Sequence, residues 1–435
     1  MKMNKWTLGL AALGLVSLTP GLRAADTAAG PMPVTTALSA TTISGYVDTS
    51  AVWNPGTGNA NPAPYAFNTG KQDGFNLDSV DVKLAKALDE GKLSAGYTLE
   101  LMFGPDATVG PWANVRQAYV EMRANVGNGL DFKIGQWDNI LGYESTDSYK
   151  NPNWTRSYGY TIEPTEHIGV LASYKVSDNV NIQVGVADEL SAAYNRNVSG
   201  TASANAVFGP NGTIETKKAI VSLLTVTAPD SWGALKGSAL YAGFDYGPGN
   251  AFSHSAVNAP GTPAANSHIV DKTELYVGAT IMTPVKGLTF GASWDSINNA
   301  DLGTGVVFPG GLGVPASLGV EGYAATMAGY VSYKITDKLT INGRGEYAYG
   351  SAFDYLDPLY VKEVAAGVKP TLQEAKILAA TATLDYQMWD NVTTRLEARW
   401  DTSADGSPHF GASNAFGAPT KNNELMVAAN VIYKF

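Results

Sequence analysis

No cysteine occurs among the 435 residues. That removes disulfides, thiolate nucleophiles, thiolate metal sites and any lipid attached through a processed N-terminal cysteine. Charge is scarce as well: Asp, Glu, Lys and Arg make up 16% of the chain, where soluble domains carry about 25%. Positive charge is the scarcer sign, 29 Lys and Arg against 39 Asp and Glu for a net −10, which argues against a nucleic-acid partner, since that would want a basic face. Only four histidines are present, His167, His254, His268 and His409, and no two stand at ligand spacing on one strand. Long apolar runs are missing too. The one candidate, residues 8–18, is shorter than the roughly 20 residues a membrane helix needs.

That run reads as part of an export signal. Lys2 and Lys5 precede it, Pro20 and Gly21 break it, and Leu22-Arg23-Ala24-Ala25 offers small-residue cleavage sites. We expect residues 1–25 to be a cleaved signal peptide and 26–40 a Pro/Thr/Ala-rich periplasmic lead. Losing Lys2, Lys5 and Arg23 would take the net charge from −10 to −13.

What is abundant is glycine (47), tyrosine (22) and tryptophan (9). A secreted β-sandwich or β-helix would share that bias, but so would a membrane barrel, in which only every second strand residue must meet lipid. The order of connections separates these. Sixteen alternating segments are predicted as strands, near 41–53, 76–87, 92–103, 114–124, 129–138, 166–176, 179–189, 215–228, 234–246, 270–283, 287–297, 321–335, 338–349, 374–388, 391–403 and 423–435. Seven joins are short and carry turn residues, for example Val126-Gly127-Asn128, Ser177-Asp178 and Thr336-Asp337. Eight are long: 54–75, 104–113, 139–165, 190–214, 247–269, 298–320, 350–373 and 404–422. Short and long alternate without exception, the layout of an outer-membrane up-and-down β-barrel with periplasmic turns and extracellular loops. The expected barrel covers residues 41–435.

Facing follows from the same segments. In 391–403, Thr393, Arg395, Glu397, Arg399 and Asp401 alternate with Leu396, Ala398 and Trp400; in 338–349, Asn342, Arg344 and Glu346 share one face. An Arg or Lys turned to lipid near the midplane would cost about 2–4 kcal/mol, so these faces turn inward. Sixteen strands enclose more space than side chains fill, which leaves an aqueous channel. Trp53, Trp389 and Trp400 near strand ends suit interfacial girdles, while Trp137 and Trp154 leave open an aromatic sugar slide inside the pore.

Three passages resemble a known family. They are Ile43-Ser44-Gly45-Tyr46 in the first strand, the series Gly142-Tyr143-Glu144, Arg156-Ser157-Tyr158 and Pro164-Thr165-Glu166-His167-Ile168-Gly169, and the terminal Tyr433-Lys434-Phe435. Together they resemble the OmpL-like β-barrel porins, with Ile168 standing where that family usually has Thr. The terminal Phe is similar to the signature read by barrel-assembly machinery. The resemblance implies a porin and names no substrate.

In sixteen-strand porins the third long loop folds inward, and here that loop is 139–165, which carries much of the resemblance. It is expected to narrow the lumen through Glu144, Asp147, Lys150, Trp154, Arg156 and Tyr158, the alternative being a plain surface loop. Lumen-facing charges are expected at Asp48, Lys83, Glu100, Glu121, Arg123, Lys133, Arg344, Glu346, Arg395, Glu397 and Arg399, acting as a solute filter or as neutralising pairs that keep the wall hydrated. No catalytic group, metal ligand set or cofactor fingerprint stands out; Glu166-His167 lacks an evident Ser partner. The expected function is passive diffusion of ions and small hydrophilic solutes across the outer membrane. Alternatives are a sugar-selective channel and a surface adhesin. Expected partners are outer-membrane lipid and lipopolysaccharide, the barrel-assembly machinery, and a homotrimer as one open assembly.

Overall fold

The computed structural model describes residues 40–56, 61–68, 70–71, 73–107, 114–188, 218–250, 269–299, 322–350, 375–413 and 419–435. Residues 1–39, and with them the expected signal and nearly all of the lead, lie outside the described residues, as does most of the four long loops that follow the seventh, ninth, eleventh and thirteenth strands.

The first strands are β1 (Thr42–Trp53), β2 (Gly74–Lys86), β3 (Ser94–Phe103), β4 (Val115–Ala124), β5 (Leu130–Asp138) and β6 (Glu166–Lys175). Then come β7 (Val180–Ala187), β8 (Ala219–Thr227), β9 (Ala239–Asn250), β10 (Ile269–Met282) and β11 (Leu288–Asn299). The chain continues through β12 (Gly322–Lys334), β13 (Leu339–Gly350), β14 (Ala375–Trp389) and β15 (Val392–Ser403). A two-stranded hairpin, β16 (Phe410–Ser413) with β17 (Pro419–Lys421), precedes β18 (Asn423–Lys434). From β1 through β15 consecutive strands pair antiparallel, and β18 pairs with both β15 and β1, closing a sixteen-stranded barrel that leaves the β16–β17 hairpin outside the ring. Every predicted strand is present, with ends shifted by a few residues.

The alternation sorts the faces as expected. Arg395, Glu397 and Arg399 are buried inward while Leu396, Ala398 and Trp400 are exposed outward. Leu99, Val277, Met327, Leu384 and Val431 form part of the same exposed apolar belt, the surface a bilayer covers. Trp53 and Trp389, 63% and 64% exposed, each end their strand, and because β1 and β14 run in opposite directions they stand at opposite rims of the belt.

Two connections are more structured than the sequence suggested. The β8–β9 join winds into 3-10 turns over Asp230–Leu235, kinked at Gly233 and followed by Gly237, both with positive φ, so β9 starts five residues later than predicted. In the last long join, Phe410 is wholly buried against Tyr65, Tyr158 and Ile377, which pins the β16–β17 hairpin to the barrel mouth.

Candidate functional site: the loop that crosses the barrel

Residues 139–165 leave β5 and return to β6, and the Asn139 amide donates to the Thr165 carbonyl (2.8 Å) at the base. Between these points the loop forms a 3-10 turn at Ser148–Lys150 and a single helical turn, α1 (Tyr158–Ile162). Ser157 caps α1 by accepting from the Tyr160 amide (3.1 Å), and Pro164, whose ring disfavours helix at the residue before it, follows its end.

The loop's partners stand half-way round the ring, on β13, β14 and β15. Glu397 on β15 accepts from the backbone amides of Trp154 (2.6 Å) and Thr155 (3.0 Å) and from the Thr155 hydroxyl (2.6 Å). Glu346 on β13 accepts from the Tyr158 amide (2.7 Å). Three arginines supply the opposite chemistry. Arg344 donates to the Thr155 and Arg156 carbonyls (2.7 and 3.2 Å), Arg395 to those of Ser148 and Asn151 (3.0 Å each), and Arg399 to that of Arg156 (2.7 Å). Asn153 reaches Thr383 on β14, and the Tyr158 hydroxyl reaches Asp401. A guanidinium offers five donors in a fixed fork, so one arginine can hold two loop carbonyls and still pair with a carboxylate. Arg344 does this with Glu144 and Glu346 (2.8 and 2.6 Å).

On the near side, Ser148 donates to Asp48 on β1 (2.6 Å) and Arg116 on β4 binds Asp147, Asp138 and Glu100. Burial alone would raise the Asp147 carboxyl, but the Arg116 and Lys150 charges overcome it and hold that group below the usual carboxylate range. Lys150 closes the other side of Asp147 (2.7 Å). Arg156 donates to the Trp154 and Thr146 carbonyls, stiffening the loop against itself.

The predicted loop residues Glu144, Asp147, Lys150, Trp154, Arg156 and Tyr158 are thus tied to the wall or to each other. Of the predicted wall charges, Asp48, Arg344, Glu346, Arg395, Glu397 and Arg399 contact the loop directly. Lys83 and Glu100 pair (2.8 Å) beside Arg116. Arg123 pairs with Asp131 (2.6 Å), and Lys133 lies over the Tyr119 ring, half-buried with Glu121 toward the short-turn end. Trp137 packs among Leu171, Ala187, Ala219 and Val221, and Trp154 is sealed with Val52, Met426 and Ala428 while its indole donates to Asp78 (3.2 Å). Neither ring is bare, so neither offers a sugar-stacking face.

Two inward residues that hold the loop escaped the alternation. The β1–β2 register passes from Asp48↔Ser79 to Thr49↔Leu77, leaving Asp78 as an extra residue; the β3–β4 register passes from Glu100↔Gln117 to Leu101↔Val115, leaving Arg116 extra. Each bulge puts two consecutive side chains inside, Asp78 with Ser79 and Arg116 with Gln117, all buried. The first long loop was also missed: the Ala66 amide donates to Thr161 (2.8 Å), and the Tyr65 ring lies 3.8 Å from the Arg399 guanidinium. Its sequence carries only turn-forming composition, which gives no sign of where it goes.

Asp81, Glu100 and Asp147 place carboxylate oxygens within 4.8 Å of one another, near enough to share a cation. Arg116, Gln117 and Lys83 already occupy both Glu100 oxygens, and Arg116 and Lys150 occupy both of Asp147. Three positive charges stand where an ion would go, and the cluster is an ion-pair network.

A family model described as "Putative beta-barrel porin-2, OmpL-like" matches residues 40–435. No curated protein matches the sequence. Similar solved structures include an anion-selective porin from Comamonas acidovorans (11% identity, TM-score 0.54, covering 91% of this chain and 99% of that one). OmpT of Vibrio cholerae in a trimer form (12%, TM-score 0.52, 91% and 99%) and OprB of Pseudomonas putida (13%, TM-score 0.51, 93% and 96%) are others. At such identities the likeness is one of fold.

Proposed function

The chain belongs to the OmpL-like β-barrel porin family, it is an outer-membrane channel for passive diffusion, and we propose that the 139–165 loop sets the width and lining of its constriction. The observation that carries this reading is the clamp on the far wall, where Arg344, Arg395, Arg399, Glu346 and Glu397 hold the loop's backbone across the ring. A loop held by its main chain keeps its position whatever solute passes, as a fixed filter requires. The wall charges then act as fasteners more than as free charges, and solutes meet what the clamped loop leaves exposed. Ions and small hydrophilic molecules are the solutes this suits.

The same reading makes the protein a non-catalytic channel, with His167 engaged by Asp245 (3.3 Å) and Asn139 (3.2 Å) on the inner wall. It places residues 1–25 in a cleaved signal, the apolar belt in lipid and lipopolysaccharide, the terminal strand in the hands of the barrel-assembly machinery, and the barrel in a homotrimer.

The test is single-channel conductance in a planar bilayer, for the natural chain and for one lacking residues 145–158. Steady ion conductance that rises on deletion supports the reading. Equal conductance from both removes the loop from the constriction, and silence from a folded, inserted barrel removes the channel.

A further inference from the structure

Among the described residues most inward charges are closely paired, but one sector of the wall carries more carboxylates than donors. Asp245 on β9, Glu274 on β10 and Asp295 on β11 are at most 1% exposed. Both carboxylate oxygens of Glu274 and Oδ1 of Asp295 lack a hydrogen-bond partner, while Asp245 has the His167 ring at 3.3 Å. Asp245 and Glu274 stand directly opposite one another in the β9–β10 register. Leaving ionised carboxylates buried without donors costs several kcal/mol each.

Glu163 joins this sector from the loop. It is the residue that ends α1, and its carboxyl faces that of Asp295, whose Oδ2 lies under the same turn, 2.6 Å from where a Cβ on Gly159 would stand. Room for it comes from Gly142, whose φ is +101° and where a Cβ would lie 2.0 Å from Glu163 Oε2. Ionised carboxylates only accept hydrogen bonds, so this contact exists only while one of the two keeps a proton. The groups facing it are Glu274 on β10, the Tyr276 hydroxyl, and Glu144 of the loop, itself bound by Arg344 and Tyr330. Behind them stand Asp245 with His167, and Lys272 two residues before Glu274 on its strand. Burial, then the Asp295 and Glu274 charges, raise the Glu163 carboxyl well above the usual range.

The two limbs of the loop are therefore fastened by different chemistry. Residues 148–158 are held largely by arginines and backbone amides, whose charge does not change over the physiological range. The return limb, 159–165, meets β11 through a carboxyl pair and through Ile162 packed against Ile297 and Ala324, beside the Ala66 amide on Thr161 and the Asn139 amide on the Thr165 carbonyl.

We propose that Glu163 and Asp295 form a proton-operated latch that holds the return limb of the loop to β11 and frees it when the shared proton is lost to solvent. Losing the proton leaves two carboxylates in contact, beside Glu274 and Asp245, with no donor between them. Because the latched form binds the proton more tightly than the free form, the latch is complete at low pH and opens as pH rises. The inference rests on the constriction reading only for its effect on conductance; the latch can be read without it.

The test is hydrogen exchange of the Thr161 and Glu163 amides, which donate to the Ser157 and Gly159 carbonyls, in the full-length folded barrel from pH 3, below the range of free carboxyls at about 4, to pH 10, corrected for intrinsic exchange. Protection in the natural chain should be constant at low pH and then fall by about tenfold per pH unit, the slope for one proton. Glu163→Gln keeps a donor toward Asp295 at every pH, so its protection should stay flat; should that variant not fold, Asp295→Asn gives the same comparison. Flat protection in the natural chain, or a variant that loses protection along the same curve, overturns the latch. Single-channel conductance measured in parallel should rise with pH in the natural chain alone. Protection that titrates while conductance does not would uphold the latch and remove the loop from the constriction; absence of conductance at every pH would refute the channel reading and leave exchange to decide the latch.

Discussion

Gly45 and Phe435 exchange both of their backbone hydrogen bonds, at 3.1 and 3.0 Å, and so complete the seam between β1 and β18. The seam is tight because Gly45 has no side chain: a Cβ there would lie 2.1 Å from the Asp81 carbonyl oxygen and 2.8 Å from the Phe435 ring. The motif residue Gly45 and the terminal Phe thus meet at one point, across nearly the whole length of the chain.

Gly45→Val should weaken closure by at least the about 1–3 kcal/mol typical of an overpacked interior, since the obstacle is backbone and cannot turn aside. Folded barrels run faster than boiled ones on a denaturing gel, and the temperature at which that difference vanishes should fall. An unchanged temperature would mean that the seam has slack this geometry does not show.

Glu397 collects two amides and a hydroxyl from the loop, and a second hydroxyl from Thr383. Glu397→Ala strands these buried donors at about 1–3 kcal/mol each, so the loop should loosen and single-channel current should become larger and noisier. Glu397→Gln keeps one acceptor and should lie between. A quiet Ala variant of natural conductance would show that the remaining fasteners suffice.

Arg344 should not be replaceable by lysine. Its fork serves Glu346, Glu144 and the carbonyls of Thr155 and Arg156 at once, and an ammonium cannot span that geometry. Both Arg344→Lys and Arg344→Ala should lower the gel-shift temperature, the alanine more, since breaking a buried pair from one side typically costs about 3–5 kcal/mol. Equal stability of the lysine variant and the natural chain would contradict the bidentate role.

Asp405, in the last long loop, gives a prediction at acid pH. Burial acts to raise its carboxyl, but His409, the Ser407 and Lys376 amides and the Ser403 hydroxyl hold it down, to about 2. A carboxyl depressed in the folded form stabilises it above the ordinary aspartate range and loses that contribution as pH falls toward 2. The β16–β17 hairpin should therefore become sensitive to an acid-active protease such as pepsin between about pH 4 and pH 2. Asp405→Asn should show the sensitivity already at neutral pH to a neutral protease. A hairpin cut equally at both pH values would show that Asp405 does not hold it.

How much of this was legible in the chain depends on the range of the interactions involved. Alternation is a local property, set by the pleat, so the sixteen strands, their faces and the sorting of short and long joins could be read directly, as could the outward belt that includes Leu396 and Trp400. Charge on the inward face followed from the cost of placing it in lipid. The partners of those charges did not follow: Arg344, Arg395 and Arg399 have the same inward parity whether they face water, each other or a loop. Asp78 and Arg116 were hidden for a sharper reason, since a bulge shifts the parity that the reading depends on, and a bulge is decided by pairing with the neighbouring strand. The contact of Glu163 with Asp295 joins residues 132 apart in sequence and is written in neither neighbourhood. The sequence determined a membrane barrel and the sign of its faces, because pleat and solvation act residue by residue. Only the closed tertiary structure decided that the third loop spans to the far wall and what fastens it, because that depends on which strands end up opposite when the ring closes.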